Sequence, residues 1–302
     1  MQVFLTGATG YVGAAVLEAL IKGGHRVTAL VRNGERATEL RARGVSPVVG
    51  ALGDPAGWRD EAAGQDAIVH TAFDGGSKGP EQDRVALQAF LEIAPPVLVY
   101  TSGIWVLGST REPADESAPT DRPAALSAWR VPREQQVLAA GTPRTRTIVV
   151  RPGIVFGGSR GIVGDMLRDA TNGLVRVIGS GTNHWPLIYD RDLGDLYNRL
   201  LITPDAAGVY HATGDVAERV NDIVEAIRAT LQSGLEVRHM PIEEARTKLG
   251  AFADALALDQ IVQSPRARAL GWTPTLHSVS GNLPRLFEEW RRGREAQEGH
   301  PA

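Results

Sequence analysis

Cysteine is missing from all 302 residues, and lysine nearly so, occurring only as Lys22, Lys78 and Lys248. The first absence excludes disulfides, thiolate metal ligands and a cysteine nucleophile. The second leaves arginine to carry almost all of the positive charge. The formal net charge is -3, so there is no broad positive field to attract nucleic acid or an anionic membrane. No apolar run approaches the roughly 18 residues that a membrane span requires. The opening residues are strand-like from position 2 or 3 and lack the pattern of a secretory leader. No carboxylate–histidine cluster has metal-ligand spacing. A cytoplasmic protein without nucleic-acid, membrane or metal partners is expected.

What is present is ample material for a core, with 43% apolar and 22% charged residues. Strand-like and helix-like segments alternate through the first half. The strands are "QVFLTG", "RVTALVR", "SPVVGAL", "DAIVHTAF", "PVLVYTSG" and, as a sixth, "TRTIVVRPGIVFG". Their continuous Val, Ile and Leu runs predict strands buried on both faces of a parallel sheet. With helices such as "YVGAAVLEALIKGG" and "ERATELRARG" between them, the pattern predicts right-handed crossovers and a doubly wound α/β sheet. Beyond residue 157 the alternation loosens. Helices are expected in 164–173, 192–202 (capped by Asp192), 219–231 and 283–293, with strands at 175–181, 184–189, 208–214 and 235–240. The expected organisation is a dinucleotide-binding domain over 1–157, rejoined by about 187–214, and a smaller substrate domain mainly over 158–302. The last residues, "EAQEGHPA", read as a frayed tail.

Between the first strand and the first helix lies "TGATGYVG", residues 6–13, with glycines at positions 7, 10 and 13. Lacking Cβ atoms, Gly7 and Gly10 let the backbone approach a pyrophosphate, and Gly13 lets helix and strand pack closely. The helix amino end then favours the anion. Thr6, Thr9, Tyr11 and Val12 complete the candidate contact set. An NAD site commonly carries an acidic residue about 20 positions after the glycines. Here Arg32 holds that place, followed by Asn33 and Arg36. A guanidinium pairs with a 2′-phosphate through two charge-assisted hydrogen bonds, so NADP(H) is expected in preference to NAD(H).

These residues, together with "DAIVHTAF", "YTSGIWVLG", "RPGIVFG" and "LGWTP", resemble the extended short-chain dehydrogenases/reductases, the NAD(P)-dependent epimerase/dehydratase group. The resemblance implies a Rossmann fold with a smaller C-terminal substrate domain. It further implies that Leu52, Thr71, Ala72, Phe73, Thr101, Ser102 and the Pro152–Gly153–Ile154 backbone line the cofactor.

That family's chemistry relies on Tyr-x-x-x-Lys and a serine: the tyrosine moves a proton and the lysine lowers its pKa. The five tyrosines here are followed four places later by Ala15, Ile104, Leu193, Leu201 and Gly214, so the motif is absent. Two registers are open for "AALSAWRVPREQQVLAAG". One, preferred from the positions of Glu134 and Arg151, puts Leu126 and Arg130 in the two places; the other puts Trp129 and Arg133 there. Either way an arginine replaces the lysine. Ser102 falls one residue ahead of the family's serine. The candidate catalytic set is Ser102, Arg130 and Arg133, with the arginines stabilising an oxyanion rather than donating a proton. Trp105, Trp185 and Tyr189, with His184, are candidate pocket walls. His70 reads as a satisfied core histidine, and Lys78 as a solvated residue in a loop over 74–83.

The expected function is an NADPH-dependent oxidoreductase of a small or medium organic molecule, with an atypical proton source. Two alternatives stand beside it: an NADP(H)-binding sensor or scaffold without turnover, and an epimerase or dehydratase that retains its nucleotide. A homodimer is a further expectation.

Overall fold

A computed structural model describes residues 1–110, 112–214, 216–231 and 234–298. In chain order the elements are β1 (Gln2–Thr6), α1 (Tyr11–Lys22), β2 (Arg26–Val31), α2 (Gly34–Ala42), β3 (Ser46–Val49), α3 (Arg59–Ala63), β4 (Ala67–His70), α4 (Gly79–Ile93), β5 (Val97–Thr101), α5 (Arg130–Ala139) and β6 (Arg146–Pro152). There follow β7 (Ile154–Phe156), α6 (Gly161–Thr171), β8 (Leu174–Ile178), β9 (His184–Tyr189), α7 (Asp190–Ile202), β10 (Gly208–Ala212), β11 (Ala217–Arg219) and α8 (Val220–Leu231). The chain closes with β12 (Glu236–Met240), α9 (Ile242–Leu249), α10 (Ala251–Leu256), α11 (Pro265–Ala269) and α12 (Leu283–Glu298).

The principal sheet has seven strands in the order β10-β6-β5-β4-β1-β2-β3. Pairing is parallel from β3 through to β6, as the apolar runs predict. The order reverses between β1 and β4, and ligands of such sheets bind beyond the carboxyl ends of the strands at that point. Two small sheets, β11-β9-β7 and β12-β8, complete the strands.

The chain divides into two compact units. The first is 1–102, 129–151 and 193–210; the second is 103–128, 152–192 and 211–302. Residues 103–128 and 152–157, which the sequence groups with the first region, thus fall in the second unit. The first unit's core stacks Phe4 on Trp58 and Trp58 against Phe90, with ring centroids 5.9 and 5.0 Å apart. The second unit has its own core, in which Phe156, Val163, Leu167, Trp185, Tyr189, Ile223 and Leu283 are buried together.

Four local expectations are corrected. The sixth strand is two: β6 ends at Pro152, which has no N–H to extend a ladder, and β7 pairs with β9 in another sheet. The loop at 74–83 ends at Lys78, because α4 begins at Gly79 with Pro80 in its first turn, where proline is favourable. Helix α7 begins at Asp190, two residues before Asp192. The expected tail is helical through Glu298, with residues 299–302 outside the described part.

Candidate functional site

At the carboxyl end of β1 the chain turns on Gly7, whose φ is +79°, a conformation that glycine adopts freely. The Gly10 N–H closes the turn on the Gly7 carbonyl at 2.8 Å. A Cβ at Gly7 would stand 2.7 Å from the Ala72 nitrogen, and one at Gly13 would collide with the Gly7 carbonyl oxygen. The amino end of α1 is therefore flush against the turn. No side chain caps it, so backbone N–H groups and the helix dipole supply its anion affinity. This bare cradle fits a dinucleotide pyrophosphate. Thr9 is exposed and Tyr11 and Val12 are half-buried beside it.

Thr6 differs from expectation: its side chain is fully buried and turns into the core. Its Oγ1 accepts from the Ala72 N–H at 3.2 Å and lies 2.7 Å from His70 Nδ1. His70 Nε2 is 3.2 Å from Asp83 Oδ1, and the Tyr100 hydroxyl donates to Asp83 Oδ2 at 3.2 Å. With Nε2 donating to the carboxylate, Nδ1 accepts the Thr6 hydroxyl proton and every member is satisfied. Burial, reinforced by Asp83, pushes the Tyr100 phenol well above its ordinary range. This network ties the glycine turn to β4, α4 and β5. It makes His70 a satisfied core residue and gives Thr6 a supporting role.

Past β2, the Asn33 side chain accepts from the Arg36 N–H at 3.0 Å and caps α2. Arg36 is drawn to Glu39 at 2.9 Å. Arg32 is exposed and makes no hydrogen bond or ion pair among the described residues. Of the three residues expected to recognise the adenosine side, Arg32 alone has an uncommitted charge. Leu52 is half-buried against the core. Thr71 donates its hydroxyl to the Thr6 carbonyl at 2.7 Å, and Phe73 is 46% exposed.

At the carboxyl end of β5, the Arg130 Nη1 donates to the Thr101 carbonyl at 2.8 Å. Its guanidinium carbon lies 4.3 Å from the Trp129 ring centre and 4.8 Å from that of Phe73. Those two rings stack at 5.3 Å. Two aromatic faces and one carbonyl thus hold a permanent cation in place. The same peptide leads into Ser102, which is 6% exposed and whose hydroxyl has no hydrogen-bond partner among the described residues. Buried hydroxyls are nearly always paired, so this one is suited to a ligand. On the other side of Thr101, Oγ1 meets the Tyr197 hydroxyl at 2.6 Å. Burial drives that phenol upward as well, so Tyr197 is a poor acid.

The structure separates the two candidate arginines. Arg130 opens α5 at the strand end. Arg133, one turn on, points to the edge of the buried network, with Nε 4.0 Å from Asp83 and without a hydrogen-bond partner among the described residues. Glu134 and Arg151 form a buried ion pair with contacts of 2.5 to 3.1 Å that fastens α5 to β6. Leu126 of the preferred register is half-buried and is not a proton donor.

In the second unit, Pro152 and Ile154 are buried, and a Cβ at Gly153 would strike the Pro186 carbonyl oxygen. Tyr189 is corrected from pocket wall to core: it is 1% exposed and its hydroxyl donates to Glu289 at 3.0 Å. Its pKa is pushed up to about 12 by burial and that carboxylate. Trp185 is also buried, bonded through Nε1 to the Leu256 carbonyl at 3.0 Å. His184 is tied to Asp259 at 2.8 Å. The Asp192 carboxylate receives the Thr275 and Leu276 N–H groups, while its carbonyl accepts from Trp272 Nε1 at 2.9 Å. It secures the "LGWTP" segment instead of capping a helix. Neighbouring Asp190 has its pKa raised to about 6 by burial.

Residues 7–151 match the NAD(P)H-binding family. The chain thus carries an NAD(P)H-binding domain over that span, and its fold is shared with solved epimerases and dehydratases of the extended short-chain dehydrogenase/reductase group. It is 29% identical to an uncharacterised protein of Schizosaccharomyces pombe over 94% of this chain and 98% of that one. It is 29% identical to the 2-alkyl-3-oxoalkanoate reductase of Stenotrophomonas maltophilia, over 61% of this chain and 60% of the reductase. The human epimerase family protein SDR39U1, solved with NADPH, superposes with a TM-score of 0.75 at 24% identity, covering 95% of this chain and 99% of that one.

Sequence reasoning missed Asp83 of α4 and Tyr100 of β5, which pair in the core, and Tyr197 of α7, which meets Thr101. Asp83 lies in the polar run "PEQDR" and Tyr100 in an apolar strand, and nothing local signals the pairing. Among the described residues no helix is long and apolar enough to cross a membrane.

Proposed function

We propose that this protein is an NADPH-dependent oxidoreductase that reduces a carbonyl, enone or imine of a small or medium organic molecule. The observation that carries this reading is the Arg130 guanidinium clamped at the end of β5, on the peptide that leads to the partnerless Ser102 hydroxyl. Bound NADPH supplies a hydride equivalent. The chain's own residues bind, orient and stabilise. Arg130 stays charged at every working pH, so it holds negative charge on a substrate oxygen without surrendering a proton. Ser102 donates a second hydrogen bond to that oxygen. With neither tyrosine nor lysine placed to deliver a proton, solvent water protonates the alkoxide or enolate. An iminium carbon needs no proton at all. The preference for NADPH rests on the uncommitted charge of Arg32. The reductase activity named for the Stenotrophomonas relative supports the reaction class.

Absence of the tyrosine–lysine pair favours a second reading, a nucleotide-binding protein without turnover. The test follows NADPH absorbance at 340 nm against a panel of imines, enones and ketones, with nucleotide affinity measured in parallel. The reductase reading expects steady decay, with Arg130→Ala slowing kcat by about 10²–10³-fold, the usual loss for one oxyanion donor. NADPH affinity should stay within a few-fold. Firm NADPH binding with no oxidation of any panel member refutes it.

A further inference from the structure

The second unit contains a cavity of about 300 Å³ among α6, β8, β9, α8, β12, α9 and α10. Its walls are Ile162, Met166, Ile178, Trp185, Met240 and Phe252. The volume is at the lower end of the range for small-molecule sites, and two methionines give it an adaptable wall. Its mouth is unusual for a protein surface. Leu249 and Phe252 are 42% and 38% exposed, on either side of Gly250, whose φ of +58° makes the corner between α9 and α10. Two large apolar side chains left in water at the rim of an apolar cavity mark a ligand site more than a stability feature.

Charge at the rim narrows the ligand. Arg176 lies 3.5 Å from Asp169, and Lys248 lies 2.8 Å from Glu244. Both cations at the opening already have carboxylate partners, so the mouth presents no spare positive charge for a phosphate or carboxylate. The Phe252 ring also meets the edge of Trp105 at 5.8 Å, and Trp105 follows Ser102 by three residues along the chain.

We propose that this cavity takes an uncharged aliphatic chain. Each methylene buried contributes about 0.8 kcal/mol, roughly fourfold in affinity. Binding should therefore tighten in steps of about that size with chain length until the cavity is full, and then level off.

The test is calorimetric titration of the full-length protein with a series of 1-alkanols from butanol to decanol, without nucleotide or turnover. The expected result is a stepwise rise, abolished in Ile162→Trp, which fills the cavity, and weakened at least tenfold in Phe252→Ala. If Ile162→Trp fails to fold, the wild-type series and Phe252→Ala still decide the matter. Affinity that ignores chain length, or that survives both substitutions, overturns the proposal.

Discussion

Replacing Asp190 with asparagine should stabilise the protein at neutral pH and do nothing in acid. Asp190 opens α7, with Oδ1 accepting the Arg191 N–H at 2.7 Å. Its surroundings include Glu289 and Asp192, which disfavour a further negative charge, and Arg191, which offsets part of that. Burial is the largest influence, and it raises the carboxyl from 3.8 to about 6. The folded state therefore holds this proton more tightly than the unfolded state. Stability falls as pH rises from about 4 to about 6, and above 6 the full penalty persists. Two pKa units correspond to about 3 kcal/mol; allowing for partial solvation, about 1–2 kcal/mol is expected. Asparagine keeps an oxygen for the Arg191 N–H but cannot ionise. Urea unfolding of wild type and Asp190→Asn at pH 4, 6 and 8 should show no gain, a partial gain and the full gain. A difference that is constant across the three pH values, or largest at pH 4, refutes the assignment.

Other expectations follow from the nucleotide cradle. Arg32→Ala should weaken NADPH by about ten- to hundredfold, the worth of one charge-assisted bond, and leave NADH unchanged; calorimetry with both nucleotides checks it, and equal wild-type affinities would end the NADPH assignment. Gly13→Ala should lower nucleotide affinity at least tenfold and cost about 1–3 kcal/mol of stability through overpacking against the Gly7 carbonyl. Unchanged binding and an unchanged urea midpoint would contradict the close contact between α1 and the turn.

The parallel sheet was readable because strands buried on both faces leave an unmistakable apolar signature, and the glycine spacing exposed the cradle because backbone approach has few substitutes. Less was readable where one residue type serves several ends. Thr6 belongs to the phosphate motif by spacing, yet its hydroxyl faces inward to His70. Arg130 and Arg133 each fall in the lysine's place in one of the two registers, and the spacing that favours Arg130 says nothing of where either side chain goes. One turn of helix sends the first to a strand end between two rings and the second to a buried carboxylate. Tyr189 looks like a pocket aromatic because strand ends often supply them, but its partner Glu289 lies 100 positions away. Long-range partners of this kind have no local trace. The partnerless state of the Ser102 hydroxyl is likewise a property of packing alone.

Each compact unit is assembled from three separate stretches, and the polypeptide passes between them five times before residue 211. During synthesis the amino-terminal unit stays unfinished until residue 210 has left the ribosome, and the other waits for the last helix. Neither can be trimmed free by cutting at one point, so expression of a fragment such as 1–157 should yield incomplete, aggregation-prone material. Biosynthetically this molecule is a single, all-or-nothing commitment.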